Sequence, residues 1–492
     1  MPGYYVENFG CRATQSDGAA IERQFQQFGL SRAGDSSSAE WVILNTCAVT
    51  AAAEQDARAM LRRIKRSNPE CKVIVTGCYA QRAPHEVAAL SGVSQVIGNS
   101  HKHNLAEIAL HRQSEKDISE PERSFFPLSA LQLSNSCHGT AGIFVSDIFA
   151  HTELLAAPVF DSANERTRPN LKIQDGCNNR CSFCIIPSVR GRSRSMRPDE
   201  VVVSVKRLVE DGYKEVVLSG INLGRWGRDL QSEFAWERPS WPARSSEARR
   251  PLEHLITAIL DQTSLEKLRI SSVEPMDWSD GFIRLMSESP RIAKHAHVPM
   301  QSGSDTVLRR MHRRYRPWHY REKIEKIRAA MPDAAIGADV MVGFPGETEE
   351  EFEETRRMVE DLPFTYLHVF TFSARPGTPA ATMPNQVPVH VARERNRILR
   401  ELAAAKKLAF MRSFIGKPLK AITLNVAGED AGGPWTEALT DNYLKLRMAG
   451  KHGPNEWVTA LIDQVADGRL LGSRTLYTVG VARFSSLLRE VG

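Results

Sequence analysis

Three short apolar runs near the start of the chain share one plan. "YYVENFGC" ends at Cys11, "WVILNTC" at Cys47 and "KVIVTGC" at Cys78. Each has the length and composition of a strand with cysteine at or just past its carboxyl end. Each precedes a helical period, over residues 15–28, 51–67 and 84–90. Parallel strands joined by crossover helices bring their carboxyl ends to one edge, so three cysteines far apart in sequence are expected to meet there. A second series starts with "NLKIQDGC" and continues over 215–222, 265–275, 294–303, 335–348 and 366–378, with helical patterns such as 201–210 and 349–361 between. Six βα units predict a parallel barrel or part of one. The active site of such a fold gathers at the carboxyl ends of its strands. The loop holding Cys177, Cys181 and Cys184 falls there, as do Ser219, Gly220, Glu274, Gln301 and Gly343.

From about residue 412 the pattern changes to "LKAITLNV", "TEALTDNYLKLRM" and "EWVTALIDQVA", which suits a small antiparallel barrel. Stretches 112–166 and 225–250 are rich in Ser, Pro and charge and predict surface insertions. The expected organisation is therefore α/β throughout. An N-terminal parallel α/β domain spans 1–111 and a linker 112–166. A partial (β/α)6 barrel follows over 167–408, and a small antiparallel β-barrel over 412–485.

Composition changes this picture little. A hydrophobic content of 42% is that of a globular chain. No apolar run approaches the roughly 20 residues of a membrane span, and "MPGYYVENFGC" lacks a signal-peptide layout. A cytoplasmic protein is expected. Disulfides rarely persist in that compartment, so the eight cysteines are expected as metal ligands or bystanders.

The cysteines carry the chemistry. Cys177, Cys181 and Cys184 are spaced C-x3-C-x2-C, and no cysteine follows them. A zinc site would close its tetrahedron with a fourth ligand, and a bacterial ferredoxin would use a later cysteine followed by proline. A four-iron cluster on three thiolates would instead keep one iron open to a small molecule. Cys11, Cys47 and Cys78 also number three and suggest a second open cluster, with coincidental core cysteines as the alternative. Cys71 and Cys137 are expected as bystanders.

The C-x3-C-x2-C spacing, with Phe183 before the last cysteine, resembles the radical S-adenosylmethionine (SAM) family. The succession "FGCRATQSD", "NTCAVT", "TGCYAQ", "CNNRCSFCIIPSVRG", "HVPMQSGSDTVLRRMHRRY", "VGFPGETEEEFEET" and "TEALTDNYLKL" resembles the methylthiotransferases. These join a three-cysteine domain and a radical-SAM core to an RNA-binding barrel called TRAM. The resemblance implies two [4Fe-4S] clusters, on Cys177/Cys181/Cys184 and on Cys11/Cys47/Cys78, with SAM as cosubstrate. It implies SAM contacts at Phe183, Ser219, Gly220, Glu274, Gln301 and Gly343. It also implies that one SAM methylates a cluster-bound sulfur and a second supplies the radical that opens a ring carbon to it. No acid–base side chain is then needed, because cofactors carry the hard step.

Val49–Thr50, "RSRS" and "RISSVEP" resemble the branch acting on N6-threonylcarbamoyladenosine, the modified adenosine 3′ of a tRNA anticodon. Alternatives are the branches acting on N6-isopentenyladenosine or a ribosomal-protein aspartate, an iron–sulfur tRNA-binding protein without catalysis, and a zinc-ribbon module. Thr14 stands where the family usually has Asn. The implied partners are the tRNA anticodon stem-loop, an electron donor and a sulfur source.

Basic clusters supply candidate RNA contacts. One is Arg58, Arg62, Arg63, Lys65 and Arg66, at helical spacing, for which a solvated face is the alternative. Two others adjoin the expected barrel mouth: Arg190, Arg192, Arg194 and Arg197, and Arg309, Arg310, Arg313, Arg314 and Arg316. In the last domain Tyr443 and Lys445 are candidates for base stacking and backbone charge.

Overall fold

A computed structural model of the protein describes residues 3–114, 141–151, 154–155, 167–230, 250–430 and 432–474. Cys137, most of both expected insertions and the end of the last domain lie outside these residues. The chain forms two compact units, Met1–Lys407 and Leu408–Gly492.

The first unit opens with a six-stranded parallel sheet. Its strands are β1 (Gly3–Asn8), β2 (Ser31–Arg32), β3 (Trp41–Thr46), β4 (Lys72–Gly77), β5 (Val93–Gly98) and β6 (Gly142–Phe144), in the order β2-β1-β3-β4-β5-β6. The three expected strands are β1, β3 and β4, packed side by side. β2 and β5 carry no uninterrupted apolar run, and β6 has only a short one inside the stretch expected as an insertion. Strand order reverses between β1 and β3, and open α/β sheets bind ligands at such a point. Helices Arg12–Gln27 and Ala51–Ser67 follow β1 and β3. Thr50 caps the second by accepting from the Ala53 N–H at 3.2 Å.

The same unit contains the partial barrel. β7 (Asn170–Asp175), β9 (Glu215–Gly220), β10 (Lys267–Ile270), β11 (His295–His297), β12 (Ala335–Val342) and β13 (Tyr366–Thr371) supply six parallel strands. β8 (Arg194–Ser195) runs antiparallel beside β7. The β10–β11 seam is carried by a bridge at Leu268, whose N–H donates to Arg291 O at 2.7 Å and whose O accepts from Ala293 N–H at 2.9 Å, and by Val273 N–H to His297 O at 3.1 Å. Among the described residues β13 pairs with β12 alone, so the barrel does not close. The main apolar core lies between strands and surrounding helices, from Leu171, Val216 and Leu218 to Ala338 and Val340. Alternation along the strands puts polar residues on the inner face, among them Lys172, Glu215, Arg269 and Asp339.

The N-terminal sheet and the barrel, expected as separate domains, form one unit because buried charges join them. Asp17, on helix Arg12–Gln27, pairs with Lys102 at 3.1 Å, with Lys172 of β7 and with Arg190 at 3.1 Å. Asp175 closes the group on Lys172 at 2.9 Å and Arg190 at 3.0 Å. The expected insertion at 225–250 also needs correction at its start. Trp226 is fully buried, and its indole N–H donates to Met196 O at 3.1 Å.

The second unit holds a closed five-stranded barrel: β14 (Pro418–Asp430), β15 (Gly433–Thr440), β16 (Lys445–Ala449), β17 (Trp457–Ala466) and β18 (Arg469–Arg474). "TEALTDNYLKLRM", expected as one strand, is two strands of a hairpin. Tyr443, at φ 65°, and the Thr440 hydroxyl, which accepts from Leu444 N–H at 2.8 Å, make the turn. β16 and β18 run parallel, whereas the other pairs are antiparallel.

Glu215 gives a pH-dependent test of this core. Burial alone would raise its pKa, but Arg269 at 2.7 Å and Arg168 at 3.2 Å outweigh that and hold it below the usual value. A depressed folded pKa means stability that is present above the unfolded value of about 4.3 and lost as pH falls through the folded one. Glu215→Gln should cost about 3–5 kcal/mol near neutral pH because it removes the buried carboxylate that Arg269 and Arg168 bond. Denaturant titrations should show the gap between wild type and variant shrinking as pH falls below about 4.

Candidate iron–sulfur and cosubstrate site

The first cysteine trio sits at the carboxyl ends of β1, β3 and β4. Gly10, at φ +104°, lets the loop after β1 lie against Cys47: a Cβ there would be 2.8 Å from the Cys47 Cβ. Gly77, at φ +96°, turns β4 directly into the helix that Cys78 opens. Each sulfur has a polar neighbour. Thr14 Oγ1 lies 3.6 Å from Cys11 Sγ, the Val49 N–H points to Cys47 Sγ at 3.5 Å, and Asn99 Nδ2 approaches Cys78 Sγ at 3.7 Å. Burial, then the neighbouring Cys78 thiol, pushes the Cys47 thiol up to about 11. Thr14 also accepts from Arg190 at 3.4 Å, so its hydroxyl links Cys11 to the buried ion-pair group.

The second trio lies on the loop after β7. Asn179 N–H and Asn222 Nδ2 donate to Cys177 Sγ at 3.4 and 3.5 Å, and Arg313 donates to Cys181 Sγ at 3.2 Å. Burial, opposed by a backbone hydrogen bond from Ile186, pushes Cys184 up to about 12. Within each trio the thiols act on one another electrostatically. Among the described residues, the one group of three ligand atoms within 4.8 Å is His297, Asp339 and His368, so both cysteine trios are spread wider than a single-ion site. Cys71 is buried at the opposite end of β4 from Cys78 and joins neither trio. The two trios share a wall. Ile185 and Val189, just after Cys184, pack in the same apolar cluster as Cys78, and Val189 O accepts from Asn99 at 2.6 Å.

A row of polar atoms at the barrel's strand ends fits a polar cosubstrate. Ser219 Oγ and Asn222 Oδ1 at the end of β9, Ser271 Oγ after β10 and Gln301 Oε1 after β11 are buried without a hydrogen-bond partner. Buried polar atoms cost free energy unless paired, so this set marks a place for a ligand. Gln301 adopts φ 63°, and its backbone N–H and C=O both bond β12. Gly220 packs on Gln174, where a Cβ would come within 2.9 Å. Glu274 pairs with Arg313 and lines a small cavity with Cys181 and Arg314. Phe183 meets Phe344 edge-on at 6.5 Å and faces a side cluster of apolar residues. Asn222 and Ser271 were not expected from the sequence, because an isolated polar residue after a strand has no local signature.

Three expected contacts need correction. Gly343 donates its N–H to Glu347 at 2.6 Å and is covered by Ala392 of helix Val389–Arg412, so it shapes a turn. Arg190 is 2% exposed and paired with Asp17 and Asp175, and Arg313 is 7% exposed and held by Glu274 and Cys181. Neither guanidinium is free for RNA. Arg192 and Arg314 are exposed, and Arg194 is half-buried with its guanidinium donating to Arg190 O and Arg192 O. In the second unit Tyr443 is half-buried in its turn and Lys445 is exposed.

Comparison with known proteins agrees with this geometry. Residues 171–359 match the radical SAM superfamily, and residues 3–98 match a family described as uncharacterized protein family UPF0004. The threonylcarbamoyladenosine tRNA methylthiotransferase MtaB of Bacillus subtilis is 36% identical over 445 residues, 90% of this chain and 89% of the relative. The chain belongs to the radical-SAM methylthiotransferase family. The tRNA-2-methylthio-N(6)-dimethylallyladenosine synthase of Thermobifida fusca is 32% identical, over 86% of this chain and 78% of that one. The radical SAM methyltransferase TsrM of Kitasatospora setae shares the fold, with a TM-score of 0.54 over 77% of this chain and 74% of its own, at 14% identity. This methylthiotransferase is therefore an enzyme, a transferase that uses SAM and [4Fe-4S] clusters. Among its described residues no helix is long and apolar enough to cross a membrane.

Two tests follow. The reconstituted protein should carry about eight irons per chain, and Cys47→Ala or Cys181→Ala about four; iron and acid-labile sulfide analysis checks both. Arg190→Gln should lower stability by about 1.5–3 kcal/mol through its lost hydrogen bonds to Asp17 and Asp175, whereas Arg192→Gln, two residues away and exposed, should change it by less than about 0.5 kcal/mol. Denaturant unfolding of the two variants separates them.

Proposed function

We propose that this methylthiotransferase converts N6-threonylcarbamoyladenosine, 3′ of a tRNA anticodon, into its 2-methylthio derivative in the cytoplasm. The reading is carried by the match to MtaB enzymes over 90% of the chain, together with two cysteine trios joined through one apolar wall. Cys177, Cys181 and Cys184 would hold the cluster that binds SAM, and Cys11, Cys47 and Cys78 the auxiliary cluster. When bound, the clusters and SAM supply electrons, a methyl group, sulfur and a radical, none of which side chains can provide.

The protein's own groups do the rest. Asn179, Asn222, Arg313, Val49 and Asn99 direct N–H groups at the ligating sulfurs, which orients the ligands and favours their thiolate form. Ser219, Gly220, Glu274 and Gln301 would line the SAM pocket, with Asn222 and Ser271 added. Phe183 would shield the cluster loop on its apolar side. A base reached at a ring carbon has to leave its stack and be held, which is easiest in a single-stranded loop. Arg192 and Arg194 would hold the RNA near the barrel mouth, and Tyr443 and Lys445 would contact it from the small barrel. An electron donor and a sulfur source complete the partners.

Nucleoside mass spectrometry of tRNA from a deletion strain tests the proposal. The methylthio-threonylcarbamoyl nucleoside should vanish while its unthiolated precursor accumulates. Unchanged levels would reject it, and loss of the methylthio-isopentenyl nucleoside instead would favour the sister branch. Purified enzyme with reductant and SAM should also release 5′-deoxyadenosine, which a tRNA-binding protein with structural clusters would not.

A further inference from the structure

The proposed substrate carries a feature that its isopentenyl counterpart lacks: the threonyl carboxylate. The structure holds a cavity of about 220 Å³ beside the Cys177 loop, lined by polar and charged residues. Arg225, Arg228 and Arg314 supply its charge, and Asn178, Asn179 and Asn222 supply amide groups; Ser193 and Asp229 complete it. Asn179 and Asn222 also donate to Cys177 Sγ, so the cavity and the cluster loop share residues.

The charges do not balance locally. Arg225, Arg228 and Arg250 crowd around one buried carboxylate, Asp277, at 2.9, 3.1 and 3.3 Å. Of the other nearby acids, Asp229 is taken up by Ser195, whose N–H and hydroxyl donate to it at 2.8 and 2.6 Å, and Glu274 is paired with Arg313. Arg314 is exposed and borders both this cavity and the one lined by Cys181 and Glu274. Five guanidiniums, Arg313 included, thus face three carboxylates that are already engaged. Such a surplus in a concave, partly buried site favours an anion, and guanidinium forks suit a carboxylate in particular. Among the described residues every side chain lining the cavity is polar or charged, and a dimethylallyl group has no charge to answer its guanidiniums.

We propose that Arg225, Arg228 and Arg314 form a subsite for the carboxylate of the N6-threonylcarbamoyl group. It thereby selects this nucleoside over adenosine and over N6-isopentenyladenosine. The assignment rests on the function proposed above. Arg228 and Arg314 are the arms that reach substrate, because both are substantially exposed. Arg225, half-buried on Asp277, positions the rim. A guanidinium–carboxylate contact in a partly dry site predicts a discrimination of roughly tenfold or more.

The same groups could meet a carboxylate of SAM or an RNA phosphate, and one set of measurements separates the three. The reconstituted holoenzyme is titrated with anticodon stem-loops bearing adenosine, N6-threonylcarbamoyladenosine or its methyl ester, which keeps the shape and removes the charge. SAM binding is measured separately without RNA. Wild type should prefer the free acid by about tenfold over the other two. Arg314→Gln and Arg228→Gln should lose that preference while binding the adenosine stem-loop and SAM nearly as before. Equal weakening of all three stem-loops, with a shallower salt dependence, would reassign the arginines to phosphates. Weaker SAM binding with the preference intact would reassign them to SAM, and either result overturns the proposal. If wild type methylthiolates the threonylcarbamoyl stem-loop yet both variants keep the preference, the subsite fails and the function stands. If wild type ignores that stem-loop altogether, both fail.

Discussion

Five buried charges hold this enzyme's site together. Asp17 comes from the helix that follows Cys11, and Lys102 from the turn after β5. Lys172 and Asp175 lie on the strand that leads to Cys177, and Arg190 on the short helix after Cys184. Each connects one cysteine loop to another element, and together they join the N-terminal sheet to the barrel. Removing Asp17 would leave Lys102 buried without a carboxylate partner, which costs far more than a surface pair is worth. The group fixes register between two parts of the chain that share little else in local sequence.

The group also carries one positive charge in excess, three cations against two carboxylates. Its Arg190 guanidinium feels the thiols of Cys78 and Cys11, and Thr14 bridges it to Cys11. An anionic iron–sulfur core on Cys11, Cys47 and Cys78 would be the natural counter-charge. Thr14 thus has a defined job: its short hydroxyl reaches both the thiol and the guanidinium. The barrel's strand ends follow a related logic. Ser219, Asn222, Ser271 and Gln301 keep buried polar atoms unpaired, a cost that a bound cosubstrate would offset.

Much of the fold was legible because it is written in local periods. Helices Ala51–Ser67 and Glu349–Asp361 match their apolar spacing, and β1, β3 and β4 their apolar runs. β5 escaped notice because Ser94 and Gln95 interrupt its run, β6 because it is short and lies in the stretch expected as an insertion, and the hairpin inside "TEALTDNYLKLRM" because Tyr443 is an unusual residue for positive φ. The cysteines were legible for another reason. Three thiols within eight residues form a local constraint, and cysteine at three strand ends becomes a site once the strands are parallel neighbours.

The arginines mark the limit. Arg190 and Arg192 stand two residues apart, and Arg313 and Arg314 are adjacent, in equally basic stretches. One of each pair is locked inside and the other faces solvent. Sequence alone determined the strand and helix periods, the count of three thiols in each trio and the density of positive charge around them, since these depend on neighbours along the chain. Tertiary structure alone decided which guanidiniums neutralise Asp17, Asp175 and Glu274 and which remain for a ligand. Those carboxylates reach them from elements up to 173 residues away, and no local pattern encodes such a meeting.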